Sequence, residues 1–149
     1  MQNVEGLELR RDNEQFLKYT QLYINWLYQE VDSLQITKGG PIIMVQAENE
    51  FGSYVSQRKD IPLEEHRVYN AKIVKQLKEA GFDLPMFTSD GSWLFEGGAT
   101  PGALPTANGE SNTENLKKVE NEYNGEKAPI WLPSFIRDGS TIGQSRSPR

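Results

Sequence analysis

The chain has 149 residues, 36% of them hydrophobic, with a formal net charge of −5, one histidine and no cysteine. That length suits a single domain. The missing cysteine excludes disulfides, thiolate zinc sites and a cysteine nucleophile, and the acidic balance offers no basic surface to nucleic acid or anionic lipid. No apolar run approaches the roughly 20 residues that a membrane-spanning helix needs, and a lone His66 is too few for a histidine-rich metal site. The opening MQNVEGLELRRDNEQ has no apolar core of the leader-peptide type. If Met1 is the true start, the chain is expected to stay in the cytoplasm; otherwise its address is open.

Residues 12–34 read as a helix, with Phe16, Tyr19, Tyr23, Trp26, Leu27, Val31 and Leu34 recurring at spacings of three and four. Asp12 is the expected cap, with Gln15 three residues on, and Tyr23 and Trp26 are expected to pack against a sheet. Residues 41–45 form a short apolar run behind Gly39-Gly40, the pattern of a parallel strand buried on both faces. A second helix is expected over 62–80, with Pro62 in its first turn, Leu63, Tyr69, Ile73 and Leu77 as its buried stripe and Gly81 as its stop. His66 lies on it as a surface or packing residue.

The next strand is expected over 84–88, running into Ser89-Asp90-Gly91, and a weaker one over 102–107. Ser111 with Glu114 resembles a capping box ahead of a helix carrying Leu116, Val119 and Tyr123 and stopped by Gly125, with Lys117-Lys118 on its solvated face. Residues 128–132 make a last strand. Helices alternating with apolar strands indicate a parallel α/β architecture, in which chemistry gathers at the C-terminal strand ends. Glu48-Asn49-Glu50, Ser89-Asp90 and Pro133-Ser134 all fall there.

An ionised carboxylate without a partner is costly to bury, so Glu48-Asn49-Glu50 belongs either in a solvated loop or in a polar pocket at the end of a buried strand. If the chain stays extended, Glu48 and Glu50 share a face, and repulsion raises one pKa until that group can act as an acid near neutrality. Asn49 adds an amide suited to a hydroxyl. With the aromatics Phe51, Tyr54, Trp93 and Trp131 nearby in sequence, these are the components of a sugar site. Asp90 either approaches the same site or forms the Ser89-Asp90-Gly91 turn, and Trp93 and Phe95 either line the pocket or pack the loop.

The stretch GGPIIMVQAENEFGSYV, residues 39–55, resembles the signature of glycoside hydrolase family 35, the retaining β-galactosidases. LRRDNEQFL, EAGFDLPMFTSDG and GALPTANGE resemble the family's neighbouring segments, so the likeness covers most of the chain. It implies a (β/α)8 TIM barrel with the acid/base on the fourth strand and the nucleophile on the seventh, a terminal β-galactoside as substrate, and no metal or cofactor. Carried over by position, Glu50 is the general acid/base, Asn49 the group that bonds the sugar 2-hydroxyl, and Glu48 a glutamate that helps bind the sugar. The match begins after the third strand and lacks the eighth. The expected architecture is therefore a partial barrel of roughly strands 4 to 7 over residues 1–133.

The departure lies at the nucleophile. The family's P-x-x-x-P-E-F-Y-P-G-W is met here by Pro129-Ile130-Trp131-Leu132-Pro133-Ser134-Phe135, which puts Ser134 at the nucleophile position. A serine without a strong base beside it does not replace that carboxylate. From Ser134 the resemblance stops abruptly, whereas drift leaves scattered matches. Synonymous codons exist for residues 133–147 such that one inserted guanine after the Pro133 codon yields PEFYPGWLDHWAEPF, restoring the family pattern. Residues 134–149 are accordingly expected to be a frameshifted tail. Two functions follow: a β-galactoside hydrolase present as a truncated piece, or a catalytically inactive remnant or sugar-binding fragment.

Overall fold

The computed structural model describes residues 5–91, 94–108 and 113–125. The expected strand over 128–132, Trp93, Trp131, Ser111, Ser134 and the tail lie outside the described residues.

Helix α1 spans Glu14–Val31. Its cap is Asn13, not Asp12: the Asn13 side chain accepts the Phe16 N–H at 3.0 Å, whereas Asp12 is drawn across to Lys72 at 2.5 Å. The helix stops short of Leu34 and gives way to two 3-10 turns, Asp32–Leu34 and Ile36–Lys38. The expected packing of Tyr23 and Trp26 is not found. Both are more than half exposed, and Ile24 is the buried residue of α1. The helix lies against α3, Leu63–Ala80, through Phe16, Leu17, Ile24, Tyr28 and Val31, so the face that meets its neighbour lies beside the aromatic one.

Strand β1 is Val45–Asn49, four residues later than expected. Pro41 has no N–H to give, and Ile42 spends its own on the Leu34 carbonyl while its carbonyl receives the Ile36 N–H. Pairing with the sheet begins where the Val45 N–H reaches the Pro85 carbonyl at 3.0 Å. Nor is the run buried on both faces: Ile43 is 56% exposed, and among the described residues β1 pairs on one side only.

After β1 comes a short helix the sequence did not announce, α2, Phe51–Gln57, and then α3. Pro62 sits at the N-cap of α3, where a missing N–H costs nothing. Its stripe is as expected at Tyr69, Ile73 and Leu77, widened by His66, Asn70 and Val74. Gly81 ends α3 at φ +112, donating back to the Leu77 and Lys78 carbonyls. Only glycine takes that conformation without strain, and a Cβ there would also meet the Tyr28 ring at 2.7 Å.

Strand β2, Met86–Gly91, begins two residues later and ends three residues later than expected, which takes Asp90 out of any turn and into the sheet. A one-turn helix α4, Phe95–Gly98, leads to β3, Leu104–Asn108, and α5, Thr113–Asn124, follows. The strands are parallel in the order β1-β2-β3. One core joins Ile24, Phe51, Tyr69, Ile73, Val74, Leu77, Phe82, Met86 and Ala103, and a second joins Ala99, Leu116 and Val119. Lys117 and Lys118 face solvent as expected. The described residues thus form a three-stranded parallel α/β unit without a closed barrel.

Candidate active site

The acidic triplet stands where β1 leaves the sheet. The ladder slips between Gln46 and Glu48, and Glu50 turns into the left-handed region at φ 52, ψ 33 as the N-cap residue of α2. Few non-glycine residues sit there, and the surroundings hold this one in place. Its N–H donates to the Ser89 carbonyl at 2.7 Å, and its carbonyl receives the Ser53 and Tyr54 N–H groups. The extended alternation that would place Glu48 and Glu50 on one face therefore ends at Glu50, and the two side chains leave the backbone in different local geometries.

Glu48 is half-buried and met from several directions. Arg10 donates from Nε to Oε1 and from one terminal nitrogen to Oε2, both at 3.0 Å. The Tyr69 hydroxyl donates to Oε1 at 2.8 Å, and the Asn49 N–H to Oε2 at 2.8 Å. The same Arg10 nitrogen donates to the Asn49 carbonyl at 2.8 Å. The Arg10 guanidinium lies 5.2 Å from the ring centres of both Phe51 and Tyr54, within cation–π range. Phe51, stacked on Tyr54 and edge-on to His66, is fully buried. Thus His66 is a packing residue, and Phe51 and Tyr54 form a wall behind the triplet. Burial alone would lower the Arg10 pKa, but hydrogen bonding and charge from Glu48 outweigh it and raise it. Burial first, and then the Glu48 charge, push the Tyr69 hydroxyl far up, so it stays protonated. The Asn49 side chain is exposed and receives a bond from Gln46 Nε2 at 2.9 Å.

Asp90 is 2% exposed at the end of β2. Its Oδ1 accepts the Gly52 N–H at 2.6 Å, tying β2 to the first turn of α2 directly behind Glu50. Burial, opposed by that N–H and assisted by the charges of Glu50 and Glu48, pushes the Asp90 carboxyl up to about 7. It fits only because Gly98 has no side chain: a Cβ there would stand 1.8 Å from Asp90 Oδ2. Asn70 holds the Gly98 carbonyl at 2.6 Å, which fixes α4 over the carboxyl. Sequence reasoning missed Arg10, Tyr69 and Gly98 as parts of this site and left Asp90 undecided between sugar and turn. For Arg10 the one available signal was its place in a family-like segment, LRRDNEQFL.

Carboxyl and amide groups gathered at the end of a parallel strand, backed by aromatic rings, are the equipment of a glycoside hydrolase. The glycosyl hydrolases family 35 model matches residues 1–138, and the chain belongs to that family. It is 36% identical over 104 residues to a β-galactosidase of Xanthomonas manihotis, covering 69% of this chain and 16% of that protein. It is 36% identical over 109 residues to human β-galactosidase-1-like protein 2, covering 73% and 16%. A probable β-galactosidase E of Aspergillus fumigatus matches 142 residues at 29% identity, 94% of this chain and 14% of the relative. The chain spans well under a fifth of the length of these relatives.

Proposed function

We propose that this chain carries the acid/base side of a retaining glycosidase site for terminal β-galactosides. Glu50 is the general acid that protonates the departing glycosidic oxygen and, as its conjugate base, activates the water that releases the sugar. Asn49 bonds the sugar 2-hydroxyl. The observation that carries this reading is the turn at Glu50: the left-handed residue, pinned by Ser89 and backed by Asp90, lifts an acid out of the sheet at a strand's C-terminal end. The three parallel strands read as neighbours in a (β/α)8 barrel, roughly its strands 4 to 6, with residues 128–132 as the next. No metal or cofactor enters, because proton transfer and covalent capture by carboxylates suffice.

The reaction needs a second carboxylate about 5 Å away across the glycosidic bond, and position 134 carries serine. That substitution supports a second reading, an inactive remnant or sugar-binding fragment. The two are separated by sequencing the DNA around codon 134 and assaying both products. The chain as it stands is expected to release no nitrophenol from a nitrophenyl β-galactoside and to take no covalent label from a fluorinated galactoside. A polypeptide that reads PEFYPGW there and supplies the remaining strands is expected to do both. DNA that gives PEFYPGW in no frame leaves the inactive reading standing.

A further inference from the structure

Arg10 and Glu50 are the two non-glycine residues at positive φ among those described; Arg10 bonds directly to Glu48, and Glu50 follows Glu48 by two residues in the chain. Backbone held in that region at a functional site is held by its surroundings. Here the holding groups can be named. A carboxylate offers about four lone-pair positions, and Glu48 has filled four: Oε1 takes Arg10 Nε and Tyr69 Oη, and Oε2 takes an Arg10 terminal nitrogen and the Asn49 N–H. A sugar hydroxyl could donate to Glu48 only by displacing one of these. The fork of Arg10 also grips the Asn49 carbonyl, so Asn49 is held at its carbonyl by the guanidinium and at its N–H by the Glu48 carboxylate that the guanidinium orients.

We propose that Glu48 is a positioning residue and that Arg10, Glu48 and Tyr69 form a clamp setting the turn from which Asn49 and Glu50 project. The sugar contact that the family likeness gives Glu48 is thereby reassigned. Tyr69 brings α3 into the clamp, and Arg10 brings the segment ahead of α1. Three stretches distant in sequence, at residues 10, 48–49 and 69, therefore meet at one carboxylate, and lysine in place of Arg10 could not reproduce the fork. The positioning role rests on the reading of Glu50 as acid/base; the clamp itself does not.

The test uses the full 149-residue chain and nuclear magnetic resonance. The Glu50 and Gly52 amide protons report the turn without touching Glu48, because they bond to Ser89 and Asp90. The α3 amides of Ile73 and Leu77 serve as the structural control. Arg10→Ala and Glu48→Gln are each expected to lower the protection of the Glu50 and Gly52 amides about tenfold or more, with the α3 amides unchanged. The Arg10 Nε–H signal, slow to exchange in the parent, is expected to be lost in Glu48→Gln. The double variant should be no worse than the poorer single one, since both remove the same clamp. Unchanged Glu50 and Gly52 protection, effects that multiply in the double variant, or a parent with no protected amides would each overturn the clamp. In parallel, a galactose-configured imino sugar is titrated. Failure of a polypeptide that reads PEFYPGW and supplies the remaining strands to bind it counts against the acid/base reading, while the exchange data on the 149-residue chain still decide the clamp. If Glu48→Gln weakens binding of the imino sugar but leaves turn protection intact, Glu48 is a sugar ligand and the proposal falls.

Discussion

Helices α1 and α3 are both 18 residues long and pack against each other, yet they end in opposite conditions. Seven residues of α3 are buried, while α1 buries Ile24 alone and leaves Leu22, Tyr23 and Trp26 more than half exposed. Apolar periodicity is present in both, and it marks an amphipathic face in each. It does not say which face finds a partner. α3 is covered on two sides, by the sheet and by α1, and its polar residues Asn70 and His66 are drawn inward with the apolar ones. The exposed aromatics of α1 contribute correspondingly little to this fold, and the strand-end site takes Tyr69 from α3 and Arg10 from the segment ahead of α1.

Substitutions on the two helices sharpen that contrast. Leu77→Ala should be the most damaging, costing about 2–5 kcal/mol by opening a cavity in the core, which at roughly 2–4 °C per kcal/mol for this size is a clear fall in Tm. If Leu77→Ala and Trp26→Gln shift Tm equally, the contrast is wrong.

Asp90→Asn tests the same interior by pH. A carboxyl raised to about 7 when folded, against about 3.9 unfolded, keeps its proton in the native state after the unfolded chain has lost it. Stability therefore falls as pH rises from about 4 to about 7 and is level above. The loss is on the order of 4 kcal/mol at most. Asp90→Asn should remove that slope and raise Tm above pH 7, measured by thermal melts across the range. Gly98→Ala comes next. Its methyl would stand on the Asp90 carboxylate, a clash worth about 1–3 kcal/mol that should shrink in the Asp90→Ala background. Trp26→Gln should change stability by less than about 0.5 kcal/mol, the smallest effect of the set.

The α3 helix was plain in the sequence because Pro62, the Tyr69–Ile73–Leu77 spacing and Gly81 all point the same way, and the parallel sheet followed from the alternation of elements. The start of β1 was not legible. An apolar run of 41–45 looks like a strand, and nothing local reveals that Ile42 would be spent on Leu34 and Ile36. Of the site, Asn49 and Glu50 were marked by a long motif, while the turn that presents them was hidden because glutamate at φ 52 contradicts local preference. The site roles of Arg10, Tyr69 and Gly98 were not legible for a different reason: they arise from contacts across 21 to 38 residues of sequence, which no periodicity encodes.

The most direct test of Glu50 as acid/base is the leaving-group dependence of Glu50→Gln, measured as kcat/KM in a polypeptide that supplies the remaining barrel and the nucleophile. With a phenyl β-galactoside, whose leaving oxygen needs a proton, the variant is expected to lose roughly 10²–10⁴-fold. With a dinitrophenyl β-galactoside, whose leaving group needs none, the loss should be far smaller. Equal losses with both substrates would contradict the assignment and show that Glu50 does not deliver the proton.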